Sequence, residues 1–272
     1  MSTKSTFEAP NLSVEDLSKA LYETSMRLQQ ANDQLRKQEK ERLEFYANIS
    51  HDLRAPLTAI SNGVEFLEIK EGLSEEDLRT TLTLLRNRID YMKRLVNDIF
   101  LLSSLESSDD KFHPEEVDFC FFLEDYYYFC EEDSNFANCQ MSLDISEELS
   151  KDAPIINLDP HLMQRVFDNL LSNARKYCNQ RPVIKIEAAY ESEAKEKIVL
   201  KFSDNGIGIP AEAIPHIFDR SYQVEVSRTP DSNSSSGFGL TIVKTVIERH
   251  GGRVSCESKM GEGATFIILL PC

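Results

Sequence analysis

At 272 residues, 41% of them hydrophobic, the chain is long enough for two domains and apolar enough to build real cores, which excludes disorder throughout. Its 46 acidic residues outweigh 30 basic ones, and the net charge of −16 excludes a general attraction for nucleic acid or anionic lipid. No run approaches the roughly 18 to 20 apolar residues of a membrane segment, and the opening MSTKSTFEAP lacks a signal-peptide core, so no membrane segment and a cytoplasmic location are expected.

The first predicted element is a long helix. From Val14 an apolar residue returns every seventh place at Leu21, Leu28 and Leu35, with Leu17 and Ala31 in support and breaks at Thr24 and Gln38. The charged run from Gln29 to Glu44 leaves a narrow apolar stripe, as in a dimeric coiled coil or a lone solvated helix. Beyond Arg42 the stripe widens through Phe45, Ile49, Leu53, Leu57, Ile60, Val64 and Leu67, which carries the helix past His51 and suits a bundle. Pro56 removes a backbone donor and predicts a bend one turn past His51.

Gly72 ends this pattern, and Ser74 with Asp77 resembles a capping box opening a second helix. That helix carries Leu78, Leu82, Leu85, Ile89, Met92, Val96 and Ile99 on one face. Two such helices form an antiparallel hairpin with more apolar face than they can bury against each other, so a homodimeric four-helix bundle is expected. Polar residues from Ser103 to Lys111, then Pro114, read as a hinge.

The second half mixes helix and strand. Expected in order are an aromatic helix near Phe121 to Phe136, strands at Met141 to Ile145 and Ile155 to Leu158, and a helix from Pro160, capped by Asp159, to about Cys178. Strands at Val183 to Tyr190 and Ile198 to Ser203 come next, then a helix from Phe238 to His250 and strands at Arg253 to Glu257 and Ala264 to Leu270. The fold class is α+β: a helical hairpin followed by an α/β sandwich with helices on one face of a mixed sheet. The six cysteines show no CxxC spacing and the five histidines no metal pattern, so the thiols are expected to be reduced and structural.

Four segments of this half make sense together as a nucleotide site. In DNLLSNARKY, residues Asn169, Asn173, Lys176 and Tyr177 fall on one side of a helix, where amide oxygens suit Mg²⁺, an ammonium suits phosphate and a ring suits a base. Asparagines that satisfy backbone groups inside a core give the same pattern. In SDNGIGIP, Asp204 offers an acceptor for an adenine amino group, and Gly206 and Gly208 allow close approach to backbone. The same glycines fit a dinucleotide fingerprint, but Pro210 and the lack of a parallel βαβ unit argue against it. The run from Asp231 to Leu240 is a flexible loop entering a helix N-terminus, a natural receptor for a triphosphate. The fourth segment, Gly261 to Phe266, reads as a tight turn, and no GxxxxGK[ST] loop occurs anywhere.

From Leu43 onward the ordered set resembles the two-component sensor histidine kinases. FYANISHDLRAPLTAI is similar to that family's H box, DNLLSNARKY to its N box, SDNGIGIP to its first glycine box, IPHIFDR to its F box and SGFGLTIV to its second glycine box. With residues 1–42 assigned to a coiled coil by the seam and 107–115 to a hinge by composition, the resemblance implies a dimerisation and phosphoacceptor domain over 43–106 and an ATP-binding domain of the gyrase and MutL type over 116–272. It also implies transfer of the γ-phosphoryl group of ATP to His51 and onward to an aspartate of a response regulator. Asp52 would orient the imidazole or take its proton, Asn173 would hold Mg²⁺ with Asn169 close by, and Arg220 would steady phosphate. Gly237 and Gly239, followed by Leu240, would let the loop close over it.

Three places depart from the family pattern. Ala55 stands where Thr or Asn often positions the water for removing phosphate from the regulator, which puts phosphatase activity in doubt. Ser221 and Gln223 replace usual aromatic and basic residues, and Ser235 and Ser236 stand where a further glycine is common. A nucleotide-binding pseudokinase that scaffolds a partner is the alternative reading, and an ATPase or serine kinase of the same superfamily is a third.

Overall fold

The computed structural model describes residues 14–70, 72–107, 112–220, 222 and 237–272. The expected loop over 231–236, the departures at Ser221, Gln223, Ser235 and Ser236, and the middle of the hinge lie outside the described residues. Two compact units are distinguished, residues 1–51 and 52–272.

Helix α1 (Val14–Ile69) runs through both seams and through Pro56 without ending. Leu21, Leu28 and Leu35 stand 64–72% exposed along it, as the apolar positions of a seam do on a single chain. After the turn at Gly72, whose φ of +75° is the left-handed region that favours glycine, comes α2 (Glu75–Ser107). Ser74 caps it as the sequence predicts: its Oγ accepts from the Asp77 amide at 3.0 Å. Within the hairpin Gly63 faces Leu85, and a Cβ there would come within 2.8 Å of the Leu85 side chain. Leu95, Leu102 and Leu105 of α2 are buried, whereas Leu57, Val64, Leu78, Leu82 and Ile89 remain exposed.

The α/β part begins with β1 (Glu115–Asp118), α3 (Phe119–Glu132) and β2 (Gln140–Ile145). It continues through α4 (Glu147–Asp152), β3 (Ile155–Leu158), α5 (Pro160–Lys176), β4 (Val183–Tyr190) and β5 (Lys197–Asp204). It closes with α6 (Gly239–Arg249), β6 (Arg253–Lys259) and β7 (Gly263–Pro271). Five strands form one sheet in the order β2-β4-β5-β7-β6, with β2 parallel to β4 and every other pair antiparallel. The sheet is therefore mixed, as expected.

Alternation puts Ile184, Ile186, Ile198, Leu200, Phe202, Phe266, Ile268 and Leu270 on one buried face. Against the sheet pack α3, α4, α5 and α6, whose buried stripes include Phe122, Leu123, Val166, Phe167, Ile242 and Val246. Phe167 is the centre of an aromatic cluster with Phe122, Tyr126 and Phe202, at ring separations of 5.0 to 5.9 Å.

Among the described strands and α-helices, two escape the sequence reading. Strand β1 pairs antiparallel with β3 in a separate two-stranded sheet, and Glu115–Asp118 has no apolar alternation to announce it. Helix α4 is a short turn capped by Ser146 and stopped by Ala153 at φ +41°. The aromatic helix is also shorter than expected: α3 ends at Glu132, and Ser134–Phe136 forms a separate 3₁₀ turn.

Candidate nucleotide and phosphoacceptor site

Helix α5 supplies the first wall. Asp159 caps it, its Oδ1 accepting from the Leu162 amide at 3.0 Å, and Pro160 fills the first turn, where a missing N–H costs nothing. The apolar stripe from Leu162 to Ala174 is pulled into the core, which turns Asn169, Asn173 and Lys176 toward a half-buried margin. The helix closes with Lys176, and Tyr177 is its C-cap, donating its amide to the Asn173 carbonyl. The Lys176 ammonium lies 4.8 Å from the Tyr177 ring centroid and 3.3 Å from its hydroxyl. Tyr177 also contributes its backbone, which spacing alone does not reveal: its carbonyl accepts from the Ile207 amide at 2.9 Å.

At the end of β5 sits Asp204. Its Oδ1 accepts from the Gly206 amide at 2.8 Å and the Ala264 amide at 3.2 Å. Burial nevertheless raises its pKa above the usual carboxylate value, and these two amides offset only part of the effect. The two glycines after it are demanded by close approach. A Cβ on Gly206 would stand 2.7 Å from the Tyr177 carbonyl, and one on Gly208 would stand 2.1 Å from the Lys259 carbonyl in a backbone at φ +74°.

Asn205, which the sequence reading passes over, braces this loop. Its side chain accepts from the Val183 amide at 2.8 Å and donates to the Arg181 carbonyl at 3.2 Å, pinning the loop to the start of β4. Its signal is the Asp-Asn-Gly turn itself.

The third wall is the start of α6. Gly237 has φ +70°, and Gly239 approaches α5 so closely that a Cβ would lie 3.1 Å from Asn169 Oδ1. Asn169 Nδ2 is buried and has no hydrogen-bond partner among the described residues. A buried donor left unpaired where two helices meet is a group that a ligand acceptor would satisfy. Leu240 is half-buried in the first turn of α6. The next residue, Thr241, donates through Oγ1 to the Asp219 carbonyl at 3.3 Å, which ties the segment carrying Arg220 to the same helix.

The expected acceptor segment is helical. His51 is exposed on α1, Asp52 half-buried and Pro56 buried. No cluster of three or more His, Cys, Asp or Glu side chains able to hold a metal occurs among the described residues. No described helix is long and apolar enough to cross a membrane.

A mixed sheet with helices on one face, a pair of asparagines on α5 and a glycine-lined loop after a half-buried aspartate fit an ATP-binding domain of the gyrase type. Residues 158–272 match the family described as histidine kinase-, DNA gyrase B- and HSP90-like ATPases, and residues 41–108 match the His kinase A phosphoacceptor domain. With both domains present in this order, the chain belongs to the two-component sensor histidine kinases.

The sensor protein kinase WalK of Staphylococcus aureus is 33% identical over 237 residues, 86% of this chain and 54% of that protein. WalK of Staphylococcus epidermidis (strain RP62A) is 33% identical over 86% of this chain and 37% of its own length. The chain thus spans about half the length of these relatives or less.

Among solved structures, the histidine kinase ThkA in complex with the response regulator protein TrrA matches with a TM-score of 0.64 at 22% identity, over 84% of this chain and 61% of that one. The Acinetobacter baumannii histidine kinase AdeS matches with a TM-score of 0.59 at 21% identity, over 81% and 97%. These likenesses establish the shared fold.

Proposed function

We propose that this chain is an ATP-dependent histidine autokinase that phosphorylates His51 and passes the phosphoryl group to an aspartate of a response regulator. The observation that carries the reading is the convergence of Asn169 on Gly239, with Asp204 half-buried at the end of β5. It gathers a base-recognising acceptor, amide oxygens and a helix N-terminus into one domain. The relatives named as sensor kinases, and the ThkA complex with a response regulator, support the same reading.

Each residue has a part that its chemistry explains. The Asp204 carboxylate would accept a hydrogen bond from the adenine amino group, which recovers part of the cost of its burial. Lys176 and Arg220 would offset phosphate charge, and the N-terminus of α6 would receive phosphate oxygens at Gly237 and Gly239. Asn173, together with Asn169, fits Mg²⁺ through the side-chain amide oxygens, the hard ligands that ion takes, while the unpaired Asn169 Nδ2 is a donor that suits a phosphate oxygen. When bound, the ion would neutralise phosphate charge as it develops.

His51 in its neutral form would attack the γ-phosphorus through a ring nitrogen. An N–P bond forms, the bond to the ADP oxygen breaks and the imidazole proton leaves, with Asp52 placed by the family pattern to orient the ring or accept that proton. The exposed apolar positions of the hairpin and the upstream seam support assembly as a homodimer, through a four-helix bundle over 43–106 and a coiled coil over 1–42. A cytoplasmic location follows from the chemistry, which needs ATP and a soluble regulator.

Incubation with γ-labelled ATP tests the reading. Label that is stable to base, labile to acid and lost in His51→Gln is expected. ATP binding with no label would leave the pseudokinase instead, and label that survives acid would mean transfer to a hydroxyl group.

A further inference from the structure

The C-terminal part of α2 is bound to the nucleotide domain by charge as well as by chain. Asp98 is 5% exposed, and its Oδ1 lies 2.5 Å from Arg165 Nη2 on the first half of α5. Further along, the Arg249 guanidinium in the last turn of α6 donates to the Leu105 carbonyl. The chain between these helices is held as well. Phe112 stands edge-on to His250 at 4.9 Å, and the His113 amide donates to Asp159 Oδ2 at 2.9 Å.

Both cationic residues lie toward the ends of α5 and α6 that face away from the nucleotide. At 1.5 Å per residue, Asn173 is roughly 12 Å along α5 from Arg165, and Gly239 roughly 15 Å along α6 from Arg249. The docked arrangement therefore presents to α2 the end of the domain that does not carry the phosphates. Phosphoryl transfer requires the phosphate end to reach a histidine on the helical hairpin, and handing the group on requires it to withdraw. A single docked placement cannot serve both.

A buried carboxylate such as Asp98 has given up water and keeps the ion pair in exchange, so loss of Arg165 weakens the docked form. Once the domain lifts, both charges regain water. The pair therefore discriminates between docked and lifted states, which is the requirement for any element that controls their balance.

We propose that Asp98 and Arg165 form a latch that keeps the nucleotide domain docked on α2, and that this latch opens before phosphoryl transfer to His51. The proposal rests on the histidine-kinase reading above. Asp98 and Arg165 act by positioning and touch neither ATP nor His51.

The test compares the initial rate of His51 labelling at saturating ATP in wild type, Asp98→Asn, Arg165→Gln and the exchanged pair Asp98→Arg with Arg165→Asp. Affinity for a non-hydrolysable ATP analogue and amide hydrogen exchange over residues 99–107 are measured alongside. The single variants should label on the order of tenfold faster, because each weakens the docked state. Their nucleotide affinity should match wild type, their 99–107 amides should exchange faster, and the exchanged pair should return rate and exchange toward wild type.

Rates that stay level or fall at unchanged nucleotide affinity would overturn the latch, and so would an exchanged pair that behaves like the single variants. Should Asp98→Asn fail to fold, Arg165→Gln changes the more exposed partner and carries the same comparison. Wild-type protein that binds nucleotide and takes no label counts against the kinase reading alone; the exchange comparison then decides the latch.

Discussion

Replacing Asp204 with Asn separates the proposed binding role of this residue from its structural one. The Asn side chain keeps an oxygen to accept from the Gly206 and Ala264 amides, now 2.8 and 3.2 Å from Asp204 Oδ1, so the loop keeps its braces. What changes is the second oxygen, which becomes an NH₂ group that cannot accept from an adenine amino group. A hydrogen bond to a charged acceptor is worth about 1.5–3 kcal/mol, and its replacement by two facing donors should weaken ATP binding by roughly 10- to 150-fold.

Stability should move the other way. Burial raises the Asp204 pKa, so folding favours its protonated form; that favourable contribution is complete below the unfolded carboxylate pKa and is lost as pH rises through the folded value. At neutral pH the ligand-free wild type therefore bears an ionised, partly desolvated carboxylate that the variant lacks. Asp204→Asn should unfold at the same temperature as wild type or higher at pH 7, and any gap should close as pH falls below the carboxylate range. Calorimetric titration with an ATP analogue and thermal melts at two pH values measure both effects. Wild-type affinity in the variant, or a melt several degrees lower at pH 7, would refute the reasoning.

Three further outcomes are expected. Gly208→Ala meets both a left-handed backbone, costing about 1–2 kcal/mol, and a carbonyl only 2.1 Å from the new Cβ. It should lose ATP binding together with stability in the same titration and melt. His250 accepts from the Asp159 amide at 2.8 Å while its Nδ1 lies 2.8 Å from the Val246 carbonyl, and burial lowers its pKa. Because the folded state resists its protonation, its contribution to stability is whole above about pH 6.5 and declines below it, by at most about 1.4 kcal/mol per pH unit. Chemical denaturation between pH 8 and 5 should show that slope in wild type and a shallower one in His250→Gln. Finally, Tyr126→Phe removes a hydroxyl that donates to Asp168 Oδ1 at 2.8 Å beneath the Asn-bearing helix. It should cost about 1–2 kcal/mol in denaturant midpoint with His51 labelling retained.

The parts of this protein written in local pattern are legible from the order of its residues alone. Heptad spacing, the Gly72 break and the Ser74 cap announce the hairpin because helix geometry is set by residues a turn apart. Strands β3 and β4 are predicted to the residue because each buries one face, and burial imposes a period of two. Asn169, Asn173, Asp204 and Gly206 are recognisable from residue type and spacing within their own segments.

Tertiary structure decides what depends on distant partners. Strand β1 exists through its pairing with β3, so its four residues Glu115–Asp118 need no pattern of their own. The orphaned amide of Asn169 becomes visible only where α6 brings Gly239 against α5, the Tyr177 carbonyl acts only because the loop after β5 folds back onto it, and Asp98 meets Arg165 across elements far apart in the chain. Sequence specifies the elements and the chemical groups they carry, since those follow from neighbours within a turn or a strand. Which groups share a pocket, and which charges bind one domain to the next, depends on burial against residues many positions away and is set only when the chain packs.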